Sequence, residues 1–351
     1  MSHAAPTKIA VMGAGQIGKR RAEHIVAAPE AALFGIIDPA PAAGALAAAL
    51  GAPWFTSFAA MLAHGRPDAV IVATPNQMHV AHGLACIEAG LPVLIEKPLA
   101  DDLIGAQTLV DAAEARGVPL LTGHHRRHNP LLSKAKAWLD EGRLGKLIAV
   151  HGFCWFFKPD DYFDVGWRRL KGAGPVMLNL IHDVDCMRMF CGEVESVQAL
   201  ESNAVRGYAV EETAAILLKF RNGALGTITV SDSVVAPWSW ELTSGENPAY
   251  SHMLEPCYML GGTKASLSVP DMRLISHVGA PGWMQPIQVE FAKTEPADPL
   301  RRQIEQLCRV VTKDEAPLVS GRDGLETLRV ILAAKQAAAT GQMVMVASPG
   351  A

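Results

Sequence analysis

A chain of 351 residues, half of them apolar and 19% charged, has enough material for two domains with sizeable cores and too little polarity for long disordered tails. Its formal net charge of −4 supplies no attraction for nucleic acid or for an anionic membrane surface. The six cysteines are scattered without a C-x-x-C pair, and no apolar run approaches the roughly 20 residues of a membrane span, so reduced thiols in a soluble, cytoplasmic protein are expected. The short polar stretch ahead of the first strand leaves no room for a signal peptide.

Residues 8–12 read as a buried strand, and Gly13-Ala-Gly-Gln-Ile-Gly18 follows at once, ahead of helical sequence over 19–28. Gly13 permits a tight turn, Gly15 lets the backbone approach a pyrophosphate, and Gly18 lets helix and strand pack closely. Gln16 and Ile17 complete this cofactor-binding turn, and the phosphates would sit at the positive helix end. The next strand, 32–37, ends in Asp38, 20 residues after Gly18, the spacing at which a carboxylate reaches ribose hydroxyls. No Arg or Lys follows between residues 39 and 50 to neutralise a 2′-phosphate, so NAD is favoured over NADP.

The alternation continues with helix 40–50, strand 54–55, helix 58–63, strand 68–73 ending in Thr74-Pro-Asn76, helical sequence to 89, strand 91–95, helix 101–116 capped by Asp101 or Asp102, and strand 118–121. Repeated β-α units of this size specify an α/β fold, a Rossmann-type doubly wound parallel sheet over residues 1–122. Its fifth strand closes on Glu96-Lys97-Pro98, at the strand end where such sheets bind ligands. A lysine partly desolvated there can move a proton. The plainer alternative is a surface lysine paired with the neighbouring glutamate.

Beyond Gly123 lies a basic cluster, His124-His-Arg-Arg-His128, expected as a loop because Asn129-Pro130 follows. His124 and His128 lack a third ligand and an aligning helix, and His79 with His82 meets the same objection, so no metal is expected. A helix over 129–139 and an aromatic strand over 146–157 lead to a loop carrying Trp167-Arg168, then through Gly172 and Gly174 into a helix over 175–190. That helix is apolar on nearly every side and must be buried. Helical spacing places Asn179, His182 and Asp185 on one of its faces, with Asp183 beside them. These polar groups either satisfy one another or serve catalysis, with His182 the candidate.

Strands follow over 197–201, 213–220, 224–231, 238–243, 265–269, 272–276 and 287–291, with an Asn222-Gly223 hairpin turn, and two helices over 298–312 and 322–340 close the chain. Residues 123–351 thus read as a C-terminal α+β domain with a large, mostly antiparallel open sheet. Its free face suits a homodimer or homotetramer.

Together these motifs resemble the glucose-fructose oxidoreductase / inositol dehydrogenase / MocA-like family. The matching elements are the Gly13–Gly18 turn, Asp38, Thr74-Pro-Asn76 with His79, Glu96-Lys97-Pro98, and the stretch from Trp167-Arg168 through Gly174 to His182-Asp183. The resemblance implies hydride transfer between nicotinamide and the secondary alcohol of a sugar, inositol or cyclic diol. It implies Lys97 and His182 as catalytic groups, with Thr74, Asn76, His79 and Glu96 along the cofactor. Arg126, Trp167, Arg168, Asn179 and Asp183 are the candidate substrate-binding residues. One position departs from the family: an Asp four residues before the histidine is here Leu178, leaving Asn179, Asp183 or Asp185 to take its part. A dehydrogenase of a carboxylated cyclohexadiene diol, an NAD-using glycosidase and a non-catalytic NAD-binding regulator are the alternatives.

Overall fold

The computed structural model describes residues 5–347, and its chain contacts divide into two compact units, Met1–His128 with Asp298–Leu328 and Asn129–Ala297 with Arg329–Ala351. The first unit carries strands β1 (Thr7–Met12), β2 (Ala31–Ile37), β3 (Trp54–Phe55), β4 (Ala69–Val72), β5 (Val93–Ile95) and β6 (Leu120–Thr122). Between them run α1 (Gln16–Ala27), α2 (Ala42–Ala49), α3 (Phe58–His64), α4 (His79–Glu88) and α5 (Leu103–Arg116). The strands line up β3-β2-β1-β4-β5-β6, all parallel. Every residue of β4 and β5 is buried, which is why these segments read as unbroken apolar runs. The order reverses between β1 and β4, and the carboxyl ends of such a pair open the ligand crevice of doubly wound sheets. Asp102 is the cap of α5, accepting from the Gly105 N–H at 2.7 Å.

The second unit contains β7 (Leu147–Trp155), β8 (Val194–Ser202), β9 (Thr213–Phe220), β10 (Leu225–Ser231), β11 (Tyr258–Gly262), β12 (Ala265–Val269), β13 (Arg273–His277), β14 (Ile287–Phe291) and β15 (Val344–Met345). They form one nine-stranded sheet in the order β14-β13-β12-β11-β7-β10-β9-β8-β15, antiparallel except where β7 and β10 run parallel. The remaining helices are α6 (Pro130–Asp140), α7 (Pro175–Leu178), α8 (Leu180–Cys191), α9 (Trp240–Thr243), α10 (Pro299–Val311) and α11 (Gly321–Thr340). Alternate residues of β9 are buried, as a sheet covered on one face requires. The inward residues Val150, Ile216 and Ile228 join Leu132 of α6 and Val184 of α8 in a single core. On the opposite face Ile148, Leu217, Leu225 and Met259 are exposed.

The chain does not divide at the single cut expected after residue 122. Helix α10 returns to the parallel sheet, where Ile304, Leu307, Cys308 and Val310 join the cluster of Ile9, Val11, Ile25 and Ile36. The segment after it is tied to β6 by the Thr122 N–H donating to Val319 O at 3.1 Å and the Thr122 hydroxyl donating to Ser320 O at 3.1 Å. The reason is the apolar stripe of α10, which needs a face to cover and finds one on the first sheet.

Three expected elements also differ. Residues 240–243 form α9 rather than a strand, the Thr243 hydroxyl donating back to Ser239 O at 2.7 Å. Strand β11 is absent from the sequence reading because it ends in two glycines, which weaken a strand signal. The expected helix over 175–190 breaks at Asn179 into α7 and α8. No helix among the described residues is long and apolar enough to cross a membrane.

Candidate active site

The glycine turn is closed by this chain's own backbone at both ends and open in the middle. Gly13 has φ +97°, and a Cβ there would lie 2.5 Å from Ala73 O. A Cβ on Gly18 would fall 1.9 Å from Gly13 O, whereas one on Gly15 would meet nothing within 4 Å. The open position is the one a pyrophosphate has to approach, and the exposed Gln16 and half-buried Ile17 open helix α1 beside it. Asp38, at the end of β2, accepts from the Ala14 N–H at 2.8 Å and from the Ala40 N–H at 2.8 Å. A carboxylate has about four lone-pair sites, so Asp38 keeps capacity for ribose hydroxyls. A cavity of about 620 Å³, lined among others by Gly13, Gly15, Asp38, Ser57, Thr74 and His82, opens at these strand ends. The residues present fit the ribose and pyrophosphate of a dinucleotide.

At the end of β4, the Thr74 hydroxyl and His82 Nδ1 are 3.1 Å apart. His82 was not among the residues expected at the cofactor, yet it lines the cavity; its place one turn beyond His79 on α4 was the available signal. Burial, with a smaller effect from His79, pushes the His82 imidazole below its ordinary value. His79, expected along the cofactor, is engaged by this chain's own backbone. It is 1% exposed, with Nδ1 2.8 Å from Pro98 O and Nε2 2.9 Å from Thr74 O, so both ring nitrogens tie the ends of β4 and β5 together. Asn76 is half-buried in the turn before α4.

Glu96, also expected along the cofactor, is held by a side chain of α1. Its carboxylate lies 2.7 Å from Nε and 2.7 Å from Nη2 of Arg21, an α1 residue with no exposed surface. Arg21 also donates to Gln303 Oε1 at 2.7 Å, and Gln303 Nε2 donates to Thr122 O at 3.1 Å. Burial alone would raise the Glu96 carboxyl, but the charge and hydrogen bond of Arg21, helped by His125 and Lys97, hold it below its ordinary value. Lys97 follows directly, half-buried at the tip of β5.

In the second unit, His182 stands on α8 at 7% exposure, its N–H donating to Asn179 O at 3.1 Å. The helix break leaves Asn179 as the junction residue rather than one of three on a continuous face, and its Oδ1 is buried with no hydrogen-bond partner. Asp183 is fully buried and accepts from the Tyr258 hydroxyl, which links α8 to β11. Trp167 is about half exposed, at 52%. Arg168 stacks on Tyr162, 4.1 Å from the ring centre, and donates to Tyr162 O at 2.8 Å, which engages it within its own loop. In the first unit the basic cluster is a buried turn, His125–His128, not an open loop; Arg126 is 2% exposed and Arg127 pairs with Asp323 at 3.2 Å.

The family model for the oxidoreductase family with an NAD-binding Rossmann fold matches residues 7–124, and that for the GFO/IDH/MocA C-terminal domain matches residues 132–268. The chain belongs to the Gfo/Idh/MocA oxidoreductase family. It is an NAD(P)-dependent oxidoreductase whose first unit is the NAD-binding domain. Among its relatives, 1,5-anhydro-D-fructose reductase of Ensifer adhaerens is 29% identical over 78% of this chain and 78% of its own. Inositol 2-dehydrogenase of Rhizobium meliloti is 26% identical over 97% and 99%. The WlbA dehydrogenase from Bordetella pertussis, solved with NADH and UDP-GlcNAcA, is 26% identical with a TM-score of 0.78, covering 98% of this chain and 99% of that one.

Proposed function

We propose that the protein transfers hydride between NAD and a secondary alcohol of a sugar, inositol or cyclic diol, with Lys97 and His182 exchanging the hydroxyl proton. The observation that carries this reading is the position of Lys97, half-buried at the tip of β5 in the same parallel sheet whose β1, β2 and β4 ends line the cavity. The backbone at Gly15, Gln16 and Ile17 would hold the pyrophosphate, Asp38 the adenosine ribose, and Thr74 and Asn76 the stretch between. Bound nicotinamide supplies the hydride acceptor. Lys97 takes or returns the hydroxyl proton. His182, buried on α8, is the second proton-handling group.

With Leu178 in the family's Asp position, no carboxylate from that position orients the imidazole. Asn179 supplies a different resource, since its buried Oδ1 is an acceptor suited to a substrate hydroxyl. Of the arginines a carboxylated diol could use, Arg127 is paired with Asp323 and Arg168 donates to Tyr162 O. Relatives named for anhydrofructose and inositol support a neutral polyol as the first substrate to try. The exposed apolar residues Ile148, Leu217 and Leu225 support association of the nine-stranded sheet with a second copy of the chain.

The experiment is NADH formation, followed at the nicotinamide absorbance, across a panel of neutral and acidic cyclic diols and sugars. NADH with neutral polyols is the expected result. Sugar release from glycosides without net NADH would replace this reading with a closed redox cycle, and inactivity on the whole panel with retained NADH binding would replace it with a regulator.

A further inference from the structure

The largest unexplained investment in the first unit is the Arg21–Glu96 pair. A buried ion pair is a weak source of stability, because desolvating two charges offsets much of their attraction and apolar residues of similar volume often do as well. The pair nevertheless joins four elements at one point. Arg21 comes from α1, in the second turn after the glycine turn; Glu96 ends β5; Gln303 comes from α10; and Gln303 in turn holds Thr122 O at the end of β6. The chain is shaped to Glu96 on its other side as well: a Cβ on Gly123 would lie 2.5 Å from Glu96 Oε2 and 2.9 Å from its Cα. The Glu96 N–H donates to Val72 O at 2.9 Å and the Gly123 N–H to Ile95 O at 2.8 Å, so the backbone around Glu96 is fixed from both neighbouring strands.

We infer that Arg21 is a positioning residue for catalysis, fixing Lys97 by holding the adjacent Glu96 against the helix that carries the cofactor turn. The inference rests on the reading of Lys97 as the proton-transfer group. Glu96 immediately precedes Lys97, so a shift of the carboxylate moves the lysine backbone with it, and misplacement of a reacting group by about 1 Å costs on the order of 100-fold in rate. Charge works in the same direction. The charged or titratable groups around Glu96 are Arg21 from α1, Lys97 beside it and His125 from the turn after β6. With Arg21 gone, the cation that keeps the buried Glu96 carboxyl ionised is lost, so the charge beside Lys97 changes as well.

The test compares full-length Arg21→Met, Arg21→Lys and Arg21→Met/Glu96→Gln with the unaltered enzyme, using a substrate active in the diol panel. Arg21→Met is expected to lower kcat about 10- to 100-fold. Its NADH Kd, read by fluorescence titration, should stay within about threefold, and the limb of the kcat–pH profile that reports the base should move. Arg21→Lys should recover part of kcat. The double variant removes both charges, so its Tm should recover while kcat does not. A kcat for Arg21→Met within about twofold of the unaltered enzyme would overturn the inference, as would joint recovery of Tm and kcat in the double variant. If Arg21→Met does not fold, Arg21→Lys decides: full kcat at normal Tm overturns the inference, and reduced kcat at normal Tm supports it. A Lys97→Met kcat within about threefold of the unaltered enzyme would overturn the assignment of Lys97 and this inference with it; a strongly impaired Lys97→Met beside a fully active Arg21→Met would overturn this inference alone.

Discussion

The Ala14 N–H donates to the Asp38 carboxylate at 2.8 Å, which fixes the acidic residue at the end of β2 to the glycine turn itself. Cofactor choice follows from this bond, since a carboxylate held there accepts from a ribose diol and repels a 2′-phosphate. Replacing Asp38 by Ala removes charge-assisted hydrogen bonds worth about 1.5–3 kcal/mol each. NADH affinity should fall on the order of 10- to 100-fold while NADPH affinity changes little or rises, measured by fluorescence titration of both.

Gly15 and Gly18 should separate binding from folding. Gly15 has φ −66° and open space where a Cβ would go, so Gly15→Ala should fold with an unchanged Tm and lose NADH affinity by about tenfold or more. Gly18→Ala drives a methyl group into Gly13 O and should lower Tm by several degrees, consistent with a penalty of a few kcal/mol. Thermal melts with and without NADH distinguish the two.

Much of the first unit was legible because its signals are local. Strands β1, β2, β4 and β5 are short apolar runs closely followed by glycine, aspartate, threonine or glutamate, and each appears within one or two residues of its expected place. The second unit was legible in class but not in detail. Asn179 breaks a stretch whose apolar pattern reads as one helix, and β11 carries Gly262 because that residue lies against Leu144, a contact far away in sequence. At the site, the turn motif identified Gly13, Gly15 and Gly18, but composition cannot tell a carboxylate that meets a cofactor from one that meets Arg21. The same holds for His79: only the positions of Pro98 O and Thr74 O reveal that its nitrogens face the backbone.

His128 should make the fold acid-sensitive. Burial, with lesser effects from Arg21 and other nearby cations, pushes its imidazole down to about 3. The unfolded chain binds that proton near the ordinary value of about 6.5, so the stability His128 contributes is present above that pH and is lost as pH falls toward 3. The slope approaches about 1.4 kcal/mol per pH unit within that window. In His128→Leu the drop in unfolding free energy between pH 7.5 and 5.5 should shrink by roughly this amount in urea titrations.

The Thr74–His82 contact should appear as coupling in cofactor binding. Single Thr74→Val and His82→Phe variants are each expected to weaken NADH binding, and the double variant to be weakened by less than their sum. The interaction energy should be about 0.5–1.5 kcal/mol. Additive losses would mean that the two side chains act independently.

The most direct measurement is turnover of Lys97→Met beside its NADH affinity. Loss of a positioned proton-transfer group should lower kcat about 100- to 10,000-fold. NADH Kd should stay within about threefold, because the glycine turn and Asp38 are untouched. A kcat within about threefold of the unaltered enzyme would contradict the assignment of Lys97 as the group that moves the hydroxyl proton.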